Sequence, residues 1–231
     1  MRWDPPADAR DLVLAPHQGR LELRGRDDAP GRGVCVDLGA VDPRGARSLP
    51  LAKAFGRGVR TIADATAGLL GDAYLLALLG HEVLAIERCP MVAALARDGL
   101  ARAALDARVD AGALARLRLV EGDARTLLQG ERPDAVLLDP MFPQRRKASA
   151  LARKEIRLVR AAAGDDPDAA ELFAAAMAAA RGRVAVKRSD DAPPIVPAPA
   201  PSFACRGRTS RVDVYLAPTA ARALRDDGPN P

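Results

Sequence analysis

The chain has 231 residues, and its 48% hydrophobic content is ample for one globular core. Its 35 Lys and Arg against 30 Asp and Glu give a net charge of +5, which suits a polyanionic partner but also fits a general preference for arginine. Cys35, Cys89 and Cys205 match no metal-ligand spacing and no stretch approaches the ~20 apolar residues of a membrane span, so we expect a cytoplasmic protein with neither a metal site nor a membrane anchor.

Short β-type runs separated by glycine and proline occupy the first part of the chain, at residues 12–14, 21–23 and 34–38. They predict a small antiparallel β-rich extension over residues 1–58, ahead of a main domain at residues 59–217. We expect residues 218–231 to form a disordered tail.

From about residue 60 the pattern becomes an alternation of strands and helices. The predicted strands lie at 60–64, 82–87, 117–121, 134–139 and 184–186, with a closing hairpin at 202–206 and 211–216. The predicted helices lie at 72–79, 90–104, 124–128, 148–162 and 168–180. This order predicts an α/β fold with a seven-stranded sheet covered on both faces, parallel except for the last hairpin strand, which is inserted antiparallel.

The segment from Thr61 to Asp72 is a strand that runs into a glycine-containing loop and then a helix, which is how α/β proteins hold an adenosyl cofactor. We expect cofactor contacts at Asp64, Gly68, Gly71 and Asp72, because the glycines let the backbone approach a ligand closely. Asp72 either caps the helix or meets the positive amino group of a methionine moiety. A plain strand-to-helix turn would have a similar sequence.

Acidic residues also follow the next two strands. Glu87 lies roughly 20 residues past the glycine loop, where an acid accepts hydrogen bonds from ribose hydroxyls. A surface glutamate paired with Arg88 is the alternative. Asp123 follows the third strand, where the adenine amine is expected, and it is an equally good N-cap for the next helix. A nicotinamide cofactor uses the same logic, but the glycines form no G-x-G-x-x-G motif.

The segment at residues 134–143 carries the groups expected to react. Asp139 and the carbonyl oxygen of Pro140 can accept hydrogen bonds from the two protons of an exocyclic amine, and Phe142 can stack on a base for about 1–3 kcal/mol. The segment therefore predicts methyl transfer to a nucleobase, in which positioning carries much of the barrier reduction. Alternatively, Asp-Pro stops the strand and Phe142 packs on a neighbouring helix.

Basic residues follow this segment and are candidate RNA contacts. They are Arg145, Arg146, Lys147, Lys154 and Lys187. Such cations suit phosphates beside a flipped-out base, although a solvated helix face has the same composition. Lys187 could instead pair with Asp190 or Asp191.

Several runs together resemble the bacterial small-subunit (16S) ribosomal RNA guanine-N2 methyltransferases of the RsmJ type. The runs are Asp64-Ala-Thr-Ala-Gly-Leu, Glu87-Arg88 followed by Pro90-Met-Val-Ala-Ala-Leu, Leu138-Asp-Pro-Met-Phe-Pro, Lys154-Glu155 and Val186-Lys-Arg. The resemblance covers residues 11–217. It implies a class I, Rossmann-like methyltransferase fold, S-adenosyl-L-methionine (SAM) as cofactor, and methylation of one guanine amine near the 3′ end of 16S ribosomal RNA, free or in the small subunit.

Carried over by position, the resemblance implies cofactor contacts at Gly71, Asp72, Glu87, Arg88, Asp123, Ala124 and Asp139. The chain departs from the family pattern at three places. Leu70 stands where the family usually has glycine and Gly71 where it has a basic residue, so the contact at Gly71 involves backbone alone. Asp123 and Ala124 replace a typical serine pair, and the region 39–58 is short and lacks a basic, glycine-rich loop.

Two other functions fit the same residues. One is an amine-directed methyltransferase that acts on DNA adenine or another RNA base, because it shares the acid-Pro-x-aromatic arrangement. The other is a non-catalytic RNA-binding protein that kept the fold, which the altered Leu70-Gly71 loop leaves open.

Overall fold

The computed structural model describes residues 5–56, 58–141, 150–190, 192, 199–208 and 210–217, with only the backbone described at 150–153. The strands are β1 (Leu12–His17), β2 (Arg20–Gly25), β3 (Thr61–Asp64), β4 (Glu82–Glu87), β5 (Leu117–Glu121), β6 (Ala135–Leu138), β7 (Arg183–Ser189), β8 (Phe203–Arg206) and β9 (Ser210–Leu216). The α-helices are α1 (Pro50–Phe55), α2 (Gly71–Leu78), α3 (Pro90–Ala103), α4 (Ala111–Ala115), α5 (Ala124–Leu127), α6 (Ala150–Ala163) and α7 (Ala169–Ala179). Within these ranges, no helix is long and apolar enough to cross a membrane.

Seven strands form one sheet in the order β5-β4-β3-β6-β7-β9-β8. The first five of these strands are parallel to one another, whereas β9 is antiparallel to both β7 and β8. The predicted α/β sheet with an inserted antiparallel strand is therefore confirmed. Strand order reverses between β3 and β6, and a crevice opens at such a point beyond the carboxyl ends of the strands.

The sheet is buried on both faces, as the side chains of strand β6 show. All four of its residues are fully buried, and successive side chains point to opposite faces. Leu137 joins the core that contains α2 and α3, while Val136 and Leu138 join the core formed with α7. In the second core Phe173 of α7 meets Tyr215 of β9 edge to face, with ring centroids 4.8 Å apart.

The N-terminal hairpin of β1 and β2 packs on α3 and shares its core. Leu23, Val34 and Val36 belong to the same buried cluster as Leu95 of α3. The Leu21 N–H donates to Asp98 Oδ2 at 3.1 Å, which fixes the hairpin to the helix.

The third β run predicted at residues 34–38 is wrong beyond its first residue. Val34 forms an isolated bridge with Leu23, and a 3-10 helix begins at Leu38. The Val36 carbonyl instead accepts a hydrogen bond from Arg102 at 2.6 Å, so a side chain of α3 replaces a strand partner. The short helices α1 and α4 were not predicted, although Pro50 opens α1 and the Asp110 carboxylate caps α4.

Gly99 of α3 is required by this packing. A Cβ atom on Gly99 would lie 2.3 Å from Val36 Cγ1, and Val36 is buried. Alanine usually stabilises a helix relative to glycine by about 1 kcal/mol, but here we expect Gly99→Ala to lower the free energy of unfolding by about 1–3 kcal/mol because it overpacks the contact. Urea unfolding measures the change.

Gly130→Ala is the control, because its methyl group would meet nothing within 4 Å. It should change stability by less than about 0.5 kcal/mol. Combining Gly99→Ala with Val36→Ala should recover part of the loss, since the smaller side chain makes room. Fully additive losses in the double variant would contradict the packing explanation.

Candidate active site

The carboxyl ends of β3 and β6 bring Asp64 and Asp139 to the crevice, and Thr66 joins the two loops. The Thr66 N–H donates to Asp64 Oδ1 at 3.2 Å, and the Asp139 N–H donates to Thr66 Oγ1 at 2.6 Å. Thr66 was not predicted as a site residue. The available signal was a hydroxyl between the acid and the glycine in Asp64-Ala-Thr-Ala-Gly.

An acidic cluster surrounds one ammonium group at this point. Asp64, Asp72 and Asp139 converge near Lys187, whose Nζ lies 2.5 Å from Asp72 Oδ2 and 3.1 Å from Asp139 Oδ2. Both pairs cross the fold, joining β7 to the first turn of α2 and to the end of β6. The suggested pairing of Lys187 with Asp190 is therefore wrong, because Asp190 pairs with Arg206. Asp191, the other suggested partner, lies outside the described residues.

Burial and mutual repulsion perturb the acids of this cluster. Loss of solvent around the 2% exposed Asp64, with the nearby charge of Asp72, raises the pKa of Asp64 to about 8. Desolvation raises the pKa of Asp139 while Lys187 opposes the shift, and 42% of the side chain remains exposed. Desolvation lowers the pKa of Lys187, but the two carboxylates outweigh it and raise that pKa overall.

The start of α2 corrects one expectation. Asp72 does not cap the helix: Leu70 occupies the N-cap position, no side chain caps it, and the Asp72 carboxylate pairs with Lys187. Leu70 has a left-handed backbone (φ 66°) and is fully buried. Gly71 follows with open space around it, since an added Cβ would meet nothing within 4 Å.

Glu87 holds the glycine loop against the end of β4. Its Oε2 accepts the Gly68 N–H at 2.9 Å and its Oε1 accepts the Cys89 N–H at 2.7 Å. The residue is 7% exposed, and desolvation raises the pKa of Glu87 against these two hydrogen bonds. The alternative of a surface glutamate paired with Arg88 is therefore wrong. Each oxygen keeps a second acceptor site for a ligand hydroxyl.

Asp123 caps α5, which was one of the two roles expected for it. Its carboxylate accepts the Arg125 N–H at 2.9 Å and also pairs with the Arg125 guanidinium at 2.6 Å. The hydrogen bonds from Arg125 outweigh partial burial and lower the pKa of Asp123. Ala124, the next residue, is buried at the same strand end.

The loop between α6 and α7 closes the outer side of the site, which was not predicted. Asp166 pairs with the Arg88 guanidinium and accepts the Met141 N–H at 2.5 Å. Asp168 pairs with Arg88 at 2.9 Å and with Arg125 at 3.0 Å. The Asp-rich loop therefore ties the segment after β6 to the segments after β4 and β5. These links join residues up to 80 positions apart, so local patterns do not reveal them.

A pocket of about 560 Å³, including the open space at its mouth, lies between these loops. The predicted residues that line it are Gly68, Glu87, Arg88, Asp123, Ala124 and Asp139. Ile86, Val159 and Leu172 give it an apolar wall. The residues fit SAM: the apolar wall suits the adenine ring, Glu87 has free acceptor sites for ribose hydroxyls, and the acidic excess around Asp139 suits a cationic cofactor.

Not all of the predicted site residues can be assigned to this pocket. Phe142, Arg145, Arg146 and Lys147 fall outside the described residues, and Pro140 is buried directly after Asp139. Lys154 of α6 lies with its Nζ 3.8 Å from Asp28 Oδ2, beside the N-terminal hairpin. In the described ranges, no group of three or more His, Cys, Asp or Glu is arranged to hold a metal ion.

Comparisons with known proteins agree with this geometry. A family model described as a putative SAM-dependent methyltransferase matches residues 4–217. The ribosomal RNA small subunit methyltransferase J of Pseudomonas fluorescens strain SBW25 is 48% identical over 215 residues, which cover 88% of this chain and 81% of the relative. That of Pseudomonas aeruginosa strain PAO1 is 45% identical over 220 residues, which cover 90% and 83%. The crystal structure of a SAM-dependent methyltransferase from Neisseria gonorrhoeae matches with a TM-score of 0.74 at 30% identity, covering 96% of this chain and 88% of that one.

Fold, pocket and family model together define the class, which is that of the SAM-dependent methyltransferases. Within that class, the chain belongs to the family of ribosomal RNA small subunit methyltransferase J. The family resemblance, the α/β fold and the cofactor expected from the sequence are thus confirmed.

Stability should fall as the pH rises through the range in which Asp64 ionises. Because its pKa is about 8 in the folded chain against an ordinary 3.8, the folded state holds a proton that the unfolded state releases between these values. The free energy of unfolding then decreases with rising pH, by at most about 1.4 kcal/mol per pH unit. Asp64→Asn keeps an oxygen for the Thr66 N–H and should flatten the dependence. Urea unfolding of both proteins between about pH 5 and pH 8 tests this, and equal slopes would contradict it.

Thr66 offers a second test of the site geometry. Thr66→Val keeps the shape but leaves the Asp139 N–H without its acceptor, so we expect the free energy of unfolding to drop by about 1–3 kcal/mol. Thr66→Ser retains the hydroxyl and should lose less than half as much. Denaturant unfolding measures both, and a loss in Thr66→Ser as large as or larger than that in Thr66→Val would contradict the importance of the hydrogen bond.

Proposed function

We propose that this chain transfers a methyl group from SAM to the exocyclic N2 amine of a guanosine near the 3′ end of 16S ribosomal RNA. One observation carries the proposal: Asp139 lies where the strand order of the sheet reverses, lines the pocket and has a side chain that is 42% exposed. A carboxylate in this place can receive the N–H groups of a flat base that enters the crevice.

The residues around Asp139 have distinct roles in this proposal. The Asp139 carboxylate and the Pro140 carbonyl accept hydrogen bonds from the two N–H groups of the amine and thereby orient its nitrogen. The bound cofactor would supply an electrophilic methyl group on a sulfonium centre. As the nitrogen gains the methyl group, positive charge develops on it and the Asp139 carboxylate stabilises that charge electrostatically, while fixed geometry supplies much of the rest of the barrier reduction. The amine then releases one of its protons to the Asp139 carboxylate or to water.

Other residues bind the two reactants. Glu87 would accept hydrogen bonds from ribose hydroxyls while it continues to accept the Gly68 N–H. Asp123 and Ala124 would lie near the adenine amine. The RNA contacts proposed from sequence at Arg145, Arg146, Lys147 and Lys154 have charges that suit phosphates. Lys187, the fifth cation expected from sequence, already pairs with Asp72 and Asp139. The substrate is 16S ribosomal RNA or the assembled small subunit, and the corresponding compartment is the cytoplasm.

Product identification tests the proposal directly. The protein is incubated with methyl-labelled SAM and with either 16S ribosomal RNA or small subunits from a strain that lacks the endogenous enzyme, and the RNA is digested to nucleosides. We expect labelled N2-methylguanosine. Labelled N6-methyladenosine would assign the chain to the rival adenine-directed class. If calorimetry shows that SAM does not bind, the alternative of a non-catalytic RNA-binding protein is supported.

Two variants should separate chemistry from cofactor binding. Asp139→Ala should lower kcat by at least about 100-fold, because it removes the charge that stabilises the developing cation, while SAM still binds. Glu87→Ala should raise the SAM dissociation constant by about 10- to 100-fold, because hydrogen bonds to a charged group contribute about 1.5–3 kcal/mol. Single-turnover methylation and calorimetry measure the two effects.

Thermal unfolding serves as the control for both variants, since Glu87 also holds the Gly68 and Cys89 amides. Wild-type kcat in Asp139→Ala, or wild-type affinity in a folded Glu87→Ala protein, would refute the assigned roles.

A further inference from the structure

We propose that Lys187 is a positioning residue for methyl transfer, because its ammonium group bridges Asp72 and Asp139 and fixes the carboxylate that receives the amine. This inference rests on the proposed function. It also competes with the role of Lys187 as an RNA contact.

The register of the sheet places Lys187 beside Asp139. Strands β6 and β7 pair in parallel with Leu138 opposite Val186, so the next residue along each strand is Asp139 and Lys187. Side chains alternate along β7, and Lys187 therefore shares the face of Ala185, whose core contains residues of α2. That face directs the lysine toward the first turn of α2, where Asp72 lies 2.5 Å from its Nζ.

The charges that face Asp139 make this lysine necessary. Asp72 approaches from α2, Asp64 from β3 and Asp166 from the loop before α7, and all three are acids. Among the described residues, Lys187 of β7 contacts Asp139 and opposes their effect. Without it, repulsion and desolvation would favour protonation of Asp139, and a protonated carboxyl loses much of its power to accept an N–H group.

The same contacts leave Lys187 little capacity for phosphate. Its ammonium has three N–H donors, and two carboxylates already hold it at 2.5 and 3.1 Å. Only 34% of the side chain is exposed. Moving this charge to an RNA phosphate would leave Asp72 and Asp139 without their partner, which is costly in a partly desolvated site.

The pH dependence of kcat tests the inference, with Lys187→Met and Lys187→Arg beside the wild type. We expect Lys187→Met to lower kcat near neutral pH by at least about tenfold, and to move the acidic limb of the profile to higher pH by at least about one unit. The KM for RNA and its salt dependence should stay near wild-type values. Lys187→Arg keeps the charge and should recover part of kcat with a smaller displacement of the limb.

Arg118→Met is the matched control, since it removes the cation of an exposed pair with Glu131 near the amino end of β5. Its kcat profile should be that of the wild type. An unchanged profile in Lys187→Met, together with a raised KM for RNA and a salt slope reduced by about one, would overturn the inference and make Lys187 a phosphate contact.

A titration of the carboxyl carbons with ¹³C-labelled aspartate separates this inference from the proposed function, because it needs no turnover. In Lys187→Met, the resonance assigned through Asp139→Asn should titrate at a higher pH than in the wild type. A wild type that methylates no ribosomal RNA would overturn the proposed function even if this displacement appears. An Asp139 titration that does not move would overturn the inference even if the wild type is fully active.

Discussion

The site depends on one electrostatic constraint, which is the placement of a single ammonium group among carboxylates at the switch point of the sheet. Asp64, Asp72 and Asp139 come from three different elements, and each would repel the others in a partly desolvated crevice. Lys187 compensates for two of these charges through direct contacts, while Asp64 avoids ionisation because its pKa is raised to about 8. The cluster thus contains two carboxylates that share one ammonium group and a third acid whose ionisation is suppressed.

A second constraint follows from the first, because a carboxylate helps catalysis only if it is held in place. Side chains therefore tie the loops after the strands to one another. Thr66 accepts the Asp139 N–H, Glu87 accepts the Gly68 N–H, and Asp166 accepts the Met141 N–H. In each case a polar side chain of one loop satisfies the backbone of another. The loops that form the pocket wall are consequently hydrogen-bonded to one another and are not independent.

The local sequence pattern was sufficient to predict the sheet, because apolar strands and amphipathic helices can be recognised from the periodicity of a few residues. It also placed Asp139 and Glu87 at strand ends, where a parallel sheet gathers its functional groups. The pairing of Lys187 with Asp72 spans 115 positions and depends on strand register and facing, which composition does not encode. For the same reason the brace through Asp166 was missed. Residues 34–38 have a strand-like composition, but the Arg102 side chain of α3 satisfies the Val36 carbonyl instead of a strand partner.

The departure at Leu70 bears on whether the site is functional. The resemblance found in the sequence implies a glycine at this position, and glycine would suit its backbone: the residue has φ 66°, a conformation in which an ordinary side chain loses about 1–2 kcal/mol. Leu70 adopts the glycine-like backbone nonetheless, and its fully buried side chain offsets the strain by about 1.5–3 kcal/mol. The loop thus keeps its geometry because burial of the Leu70 side chain compensates for the unfavourable backbone conformation. Because Asp72 still meets Lys187 immediately after this turn, the substitution changes how the loop is stabilised without moving the acidic cluster away from the pocket. This argues for a working cofactor loop and against a relative that kept only the fold.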